Sequence, residues 1–391
     1  MAAKIAQISS IHDPKEKVEK YKQLITELFN HQDVKGSKEL ISHLLSTEMP
    51  LVHSRQVISF FATAMEYLQN APLIEVASFT LESFGPRSAA FEEEEAKIRD
   101  QLAEVYSAKK EYQLAARTLS AINLEGASRT VSADEKADKY IKIAEYYLEL
   151  EDEASADTFN SKAGMVIHLC QNIQLKLRHR VCHARIQDFK KDFLQASRTY
   201  YALSQEGQYG VVESDLLHLL QCAITCAILA KAGPQRSRLL ATLYKDERAV
   251  HLETYDMLEK LFMERIIKKP DVDRFSEKLQ QHHKAKLSSG FTVLETATME
   301  HNIIAISKIY NNITFDELGT VLEIPPNKAE NLIANMVQEH RIKAILDQIH
   351  GIVEFEVEND GLSEWGGQVE SLLQSVEKLV GDISKIYPVM A

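Results

Sequence analysis

Basic excess is missing from this chain. Its 45 Lys and Arg stand against 57 Asp and Glu, a formal net charge of −12. Contact with a phosphate backbone takes clustered Lys and Arg, so a general polyanion binder is excluded. Helix breakers are scarce as well: 14 Gly and 9 Pro, about 6% of the 391 residues, leave few places where a helix must stop. Four cysteines (Cys170, Cys182, Cys222, Cys226) are too few for a disulfide framework in a chain of this size. Free thiols in a reducing compartment are the simpler expectation. There is no long hydrophobic run. The longest largely apolar stretch, Cys222–Ala230, has nine residues with Thr225 inside it, too short to span a bilayer. The opening MAAKIAQISS also lacks an apolar core of signal-peptide length. A protein of the cytoplasm and nucleus, with two or three domains and no membrane contact, is expected.

Catalytic signatures are absent too. No His-x-His pair, HExxH, GxSxG, Walker A or GxGxxG motif occurs. The nearest approach to a metal set is His179, Cys182 and His183, whose i, i+3, i+4 spacing shares one helix face. Arg178, Arg180 and Arg185 surround the trio and oppose a cation, and zinc needs a fourth ligand and outer-shell partners. A helix-packing cluster is the plainer account. No catalytic residue, cofactor or metal is expected, and the chain is not expected to be an enzyme.

What is present is helix after helix. Over residues 1–230 the small residues Ala103, Ala144 and Ala184 recur at intervals of 41 and 40. Each is followed 13, 12 and 12 residues later by Ala116, Ala156 and Ala196. A small residue on each helix of a pair lets neighbours approach closely, and a period near 40 with two helices per unit describes an α-solenoid. A mainly α fold with a tetratricopeptide-like helical-repeat solenoid at its N-terminus is therefore expected. Glu92–Glu95, four consecutive carboxylates, read either as a docking patch for a basic partner or as a solvated helix start favoured by the dipole.

Residues 231–290 read as connecting helices and a polar hinge, Gln280–Gly290. Within them Gly233-Pro234 ends an apolar helix, and Gln235 or Ser237 can cap the next. Arg236, Arg238, Lys245, Asp246 and Arg248 make that next helix a mixed-charge one. It suits an interface or an internal network equally. From 291 to 357 the pattern changes to a helix (about Val293–Tyr310), a short helix opened by a Thr314/Glu317 capping box, a helix with Pro326 at its start, and two β-like runs. That is a winged helix. Ile345, Leu346, Ile352, Val353 and Phe355 form its hairpin, whose edge is a candidate pairing surface. The groove-helix candidate, Asn327–Arg341, carries Lys328 and Arg341 against Glu330 and Glu339, so duplex binding is disfavoured and no nucleic-acid partner is expected.

The sharpest pattern comes last, over 361–391. Trp365, Val369, Leu372, Val376, Leu379, Ile383 and Ile386 are spaced 4, 3, 4, 3, 4, 3, an a/d heptad seam. Such a face must be covered, either by the chain's own winged helix or by helices of other chains. A multi-chain bundle is expected.

A helical solenoid that runs into a winged helix and then a terminal helix resembles the PCI family, whose architecture is shared by the COP9 signalosome, the proteasome lid and a translation initiation factor complex. Particular stretches look like a signalosome member: Gly233–Arg248, Met299–Asn302, Ser307–Gly319, Asp347–Val353, Pro50–Gln56 and Phe91-Glu-Glu. The resemblance implies a noncatalytic scaffold subunit of the complex that removes the ubiquitin-like modifier NEDD8 from cullin–RING ubiquitin ligases. It implies other signalosome subunits as partners, both PCI subunits and the metalloprotease-fold pair, with the cullin–RING ligase as substrate of the whole. By the same resemblance, winged helices associate edge to edge, terminal helices share a bundle, the solenoid reaches toward substrate, and the hinge near Gln280–Gly290 meets the catalytic pair. The alternatives are a PCI subunit of the proteasome lid or a winged-helix nucleic-acid-binding regulator.

Overall fold

The computed structural model describes residues 2–9, 13–46, 50–68, 70–85, 90–124, 131–207, 210–286, 290–355 and 361–386. The chain is mainly helical and divides into two compact units, Met1–Cys226 and Ala227–Ala391.

The first unit is built of helices alone among its described residues. They are α1 (Ala2–Ser9), α2 (Pro14–Asn30), α3 (Val34–Leu44), α4 (Leu51–Ala64), α5 (Asn70–Phe84), α6 (Glu92–Ala108), α7 (Tyr112–Ser120), α8 (Ala133–Glu149), α9 (Glu153–Ile167), α10 (Ile173–Phe189) and α11 (Phe193–Ser204). In α12 (Glu213–Leu229) the first unit ends. Tyr21, Phe29, Phe61 and Phe84 are fully buried in the core under α1–α6. Beyond it the apolar clusters pass from one helix pair to the next, as a solenoid requires.

The six alanines picked out by spacing sit on α6–α11, one per helix, and every one is at most 1% exposed. The repeat has a second mark that spacing did not reveal. Between the helices of each pair, one residue adopts the left-handed conformation: Lys110 (φ 62°), Glu151 (φ 59°) and Lys191 (φ 63°). The amide after it donates back to the carbonyl five residues earlier, as in Asp152 to Tyr147, Glu111 to Tyr106 and Asp192 to Gln187. These are Schellman-type stops, which glycine usually fills, and here charged side chains occupy a position that disfavours Cβ. The low glycine count hides the turn from sequence inspection.

The second unit contains α13 (Pro234–Tyr244), α14 (Tyr255–Phe262), α15 (Lys269–Glu277), α16 (Val293–Ser307), β1 (Asn312–Thr314), α17 (Phe315–Leu322), α18 (Pro326–Gln338), β2 (Ala344–Asp347), β3 (Ile352–Phe355) and α19 (Gly361–Ile386). From α16 to β3 the order is that of a winged helix. Its core gathers Ile303, Ile306, Leu318, Ile333, Met336 and Val353, all fully buried. The Thr314/Glu317 capping box is present, Pro326 opens α18, and α16 has a capping box of its own from Thr292 and Glu295. At Gly319 an added Cβ would lie 2.8 Å from the Ile324 carbonyl oxygen, so the α17–α18 corner closes only over glycine. Ser288 and Ser289 of the polar hinge lie outside the described residues, as do Glu356 beside the hairpin and Tyr387 beyond α19. No helix among the described residues is long and apolar enough to cross a membrane.

Replacing Glu151 by Gly is expected to stabilise the first unit by about 0.5–1 kcal/mol, because relief of the left-handed strain exceeds the added chain entropy at this position. Glu151→Val, β-branched in the same conformation, is expected to destabilise it by more than that. Chemical denaturation of the three proteins decides; equal stabilities would mean that the turn carries no strain.

Candidate protein-interaction surfaces

The hairpin residues do not share one edge. The strand order is β1-β3-β2, with Leu346 opposite Val353 and Ile345 opposite Glu354. Ile352, Val353 and Phe355 therefore belong to the middle strand, paired on both sides, and Val353 and Phe355 are buried in the winged-helix core. Among the five candidates only Ile345 and Leu346 lie on an edge strand. Leu346 packs inward, whereas Ile345 is 58% exposed. The correction comes from Asn312–Thr314, three residues that pair with β3 and carry no alternation to betray a strand. At the wing tip, Asp347 Oδ1 accepts the amides of Ile349 and His350, and His350 Nδ1 lies 2.6 Å from Asp347 Oδ2. The His350 bond, helped by these amides, holds the Asp347 carboxyl below the usual carboxylate range. This leaves Ile349 presented to solvent, 92% exposed.

Helix α19 carries the second surface. Trp365, Val369, Leu372, Val376 and Leu379 are all exposed, together with Leu373 and Val380 beside them. The side chains of Ile383 and Ile386 lie outside the described residues, although the helix runs through both positions. Seven large apolar side chains in one stripe is more than a stable soluble helix leaves bare.

The mixed-charge segment resolves into two kinds of residue. Arg238 and Lys245 are exposed, and Asp246 caps a short 3-10 turn while pairing with Arg248 at 2.7 Å. Arg236 is the reverse of an interface residue, because it is buried. Its Nε donates to the Ala227 carbonyl at 3.0 Å and its Nη2 to that of Ile228 at 2.8 Å, closing the C-terminal end of α12. Neither Gln235 nor Ser237 caps α13; its N-cap is Gly233, and the Ser237 hydroxyl instead donates to the Gly233 carbonyl at 3.3 Å.

Beside Arg236 runs a row of buried polar groups on α16. Glu300 accepts both guanidinium ends of Arg341, one of them at 2.9 Å, and the amide of Ala232 at 3.1 Å. His301 Nε2 meets the Arg265 carbonyl at 3.1 Å, so that nitrogen carries the hydrogen. Burial, with Arg236 nearby, pushes this imidazole down to about 4, and it stays neutral at neutral pH. Asn302 accepts the Ile267 amide and donates to the Ile267 carbonyl, both at 2.9 Å. Three successive polar side chains thus fix two backbone segments, at Ala232 and at Arg265–Ile267, together with the Arg341 side chain, onto one helix. Sequence inspection singled out the stretch but not this role. Its signal was there: three adjacent polar residues in a helix that also carries the apolar Leu294, Ala297, Met299, Ile303 and Ile306 must be satisfied internally.

In the first unit, the Glu92–Glu95 run opens α6. Glu93 pairs with Lys97 and Glu95 with Arg99 one turn on, while Glu94 is buried and accepts from Arg55 Nε at 3.3 Å. The run is therefore tied into its own surroundings. The trio His179, Cys182 and His183 does not converge. His179 Nε2 faces the Asn160 carbonyl at 3.2 Å, Cys182 is buried toward Glu145, and His183 meets Gln187. Burial raises the Cys182 thiol to about 12, the Glu145 carboxylate adding to it, which makes it inert.

A winged helix with a short edge strand, an uncovered amphipathic helix behind it and a helical-repeat unit ahead of it defines a PCI-type assembly protein. The profile described as PCI domain matches residues 273–357, and that described as PSMD12/CSN4, N-terminal, matches residues 4–210. Proteins called COP9 signalosome complex subunit 4 align along nearly the whole chain. The one from Arabidopsis thaliana is 42% identical over 382 residues, covering 96% of both chains. That from Dictyostelium discoideum is 43% identical over 384 residues, 98% of this chain and 97% of its own. That from Drosophila melanogaster is 36% identical over 377 residues, 96% of this chain and 92% of its own. The chain belongs to the COP9 signalosome subunit 4 family.

Two measurements test the buried network. Arg341→Met strands the Glu300 carboxylate and is expected to cost about 3–5 kcal/mol in denaturant unfolding, against a few tenths for exposed Lys231→Met. His301 titrates lower folded than unfolded, so the unfolded state binds the extra proton between its ordinary value and about 4. Stability should fall with falling pH through that window, by up to ~1.4 kcal/mol per pH unit, and His301→Gln should remove that part of the slope.

Proposed function

We propose that this chain is a noncatalytic scaffold subunit of the COP9 signalosome, supporting the removal of NEDD8 from cullin–RING ubiquitin ligases. The observation that carries the proposal is the bare apolar stripe of α19, from Trp365 to Val380, on a chain whose relatives are named as subunits of one complex. A side-chain set of this kind has work only when other helices cover it. In this reading the Ile345 edge of β2 and the Ile349 wing tip pair with neighbouring PCI subunits, and α19, including Ile383 and Ile386, enters a bundle with their terminal helices. The proposed division of labour runs from a solenoid at 1–230, through a connecting region at 231–290 and a winged helix at 291–357, to a bundle helix at 361–391. The solenoid serves contact with the cullin–RING ligase, and the polar hinge at Gln280–Gly290 meets the metalloprotease-fold pair, which supplies the chemistry. The complex works in the cytoplasm and nucleus.

A place in the proteasome lid is the second reading, favoured by the shared description of the N-terminal profile. Duplex binding is disfavoured by α18, which over Pro326–Gln338 offers one lysine against one glutamate, the lysine lying over the Phe291 ring at 4.5 Å.

Deleting residues 361–391 is expected to abolish co-purification with other signalosome subunits from cells while residues 1–360 remain folded by circular dichroism. Unimpaired assembly of the truncated chain would remove the bundle from the proposal. Co-purification of proteasome lid subunits instead would decide for the second reading, and the isolated full chain is expected to show no isopeptidase activity.

A further inference from the structure

Within the second unit, a groove of about 460 Å³ lies between α15, α16 and the α17–α18 corner. Its apolar wall includes Ile266, Val272, Phe291, Met299, Val321 and Ile324. Two of these stand at the lip and not in the core, Val321 at 39% and Ile266 at 37% exposure. The volume falls within the ~300–1,000 Å³ of organic binding pockets. The polar groups that α16 contributes are already engaged. Thr298 donates to the Leu294 carbonyl at 2.7 Å, Asn302 is held by the backbone of Ile267, and Glu295 accepts the Thr292 amide at 2.7 Å. That leaves little for a compact polar ligand, and the wall favours apolar side chains.

The charges around the groove are set against their own helices. Lys268 is the N-cap of α15 and Lys269 its first residue, at the positive helix end where acids are favoured. The acid of that turn, Asp271, is taken by Lys260 at 2.7 Å. Asp273, also on the wall, makes no ion pair with Lys269 one turn away. Glu323 stands at the negative end of α17 as its C-cap. Lys268, Lys269 and Glu323 are exposed, and none forms an ion pair among the described residues. Cations at a helix start and an anion at a helix end, all without counter-charges, are unfavourable in the free chain. A local conflict of this kind beside an apolar groove points to a surface shaped for a partner.

We propose that this groove docks an amphipathic helix of a partner chain, with its apolar stripe against Ile266, Phe291 and Val321, an acidic first turn on Lys268 and Lys269, and a basic last turn on Glu323. Acids first and bases last is the order a helix itself prefers, so the docked segment supplies the missing counter-charges at no cost to its own stability. Apolar anchors at i, i+3, i+4 and i+7 fill the wall. The inference stands apart from the proposed scaffold role and holds or fails whether or not that role is correct.

The test titrates the full chain into a fluorescein-labelled helical peptide with leucines at i, i+3, i+4 and i+7, glutamates in its first turn and lysines in its last. A second peptide has the glutamates and lysines exchanged. Fluorescence anisotropy at ~0.15 M salt is expected to show saturable binding of the first, about tenfold tighter than the second. Lys268→Glu with Lys269→Glu and Glu323→Lys should invert that preference; all three positions are exposed, and each change suits the local helix dipole, so the fold persists. Val321→Glu, at the exposed lip, should abolish binding of both peptides. Equal affinities for the two peptides, or no binding of either, would overturn the proposal. Undiminished binding in folded Val321→Glu would place the peptide on the stripe of α19 and overturn it too. Self-association of the chain that Val321→Glu removes, without peptide binding, would assign the groove to a second copy instead.

Discussion

The pairing of Glu300 with Arg341 is the constraint around which the PCI-type unit is arranged. Both side chains are largely withdrawn from water, at 5% and 13% exposure, so the Glu300 charge is not tolerable without Arg341, which also pairs through Nε with Glu339 at 2.8 Å. Glu300 lies on α16 and Arg341 just beyond α18, and the amide of Ala232 completes the carboxylate's shell. One ion pair therefore fixes the recognition-helix end of the winged helix to the corner that precedes α13. His301 and Asn302 extend the same logic to Arg265 and Ile267, so an irregular segment between helices is held by side chains where no regular ladder reaches it. A buried network of this kind contributes little net stability compared with an apolar equivalent. What it supplies is a single arrangement, because each alternative packing leaves a charge unpaired.

The first unit solves a different problem with smaller means. Its helix pairs meet across alanines at most 1% exposed, and each pair turns through a left-handed residue followed by a backward amide bond. Surface salt bridges between α8 and α10, such as those of Arg178 with Asp138 and Glu145, decorate the stack without deciding it. The two units thus differ in what specifies them: close backbone approach in one, a satisfied polar cluster in the other.

Much of this was legible in the sequence. The alanine interval, the Thr314/Glu317 box, the Pro326 start and the heptad on α19 each rest on local periodicity or local hydrogen bonding, which sequence carries directly. What escaped is long-range. β1 is three residues whose strand character exists only through pairing with Ile352–Glu354, forty residues away, and without it Val353 and Phe355 look like edge residues. Arg236 could not be told from its exposed neighbours in the mixed-charge helix, because its partners are backbone carbonyls, which leave no mark in a sequence. The Lys110, Glu151 and Lys191 turns were invisible for a related reason, since no glycine announces them.

The bare stripe of α19 has a consequence for the supply of this protein in a cell. Its exposed Trp365, Leu372 and Leu379 would be hidden only while partner helices are at hand, and until then the stripe offers an adhesive surface to chaperones and degradation machinery. Surplus copies would then be short-lived orphans. If partner helices cover α19 as proposed, the amount retained would track the scarcest co-assembling chain and not its own rate of synthesis, and the stoichiometry of the assembly would be kept by disposal of whatever is left over.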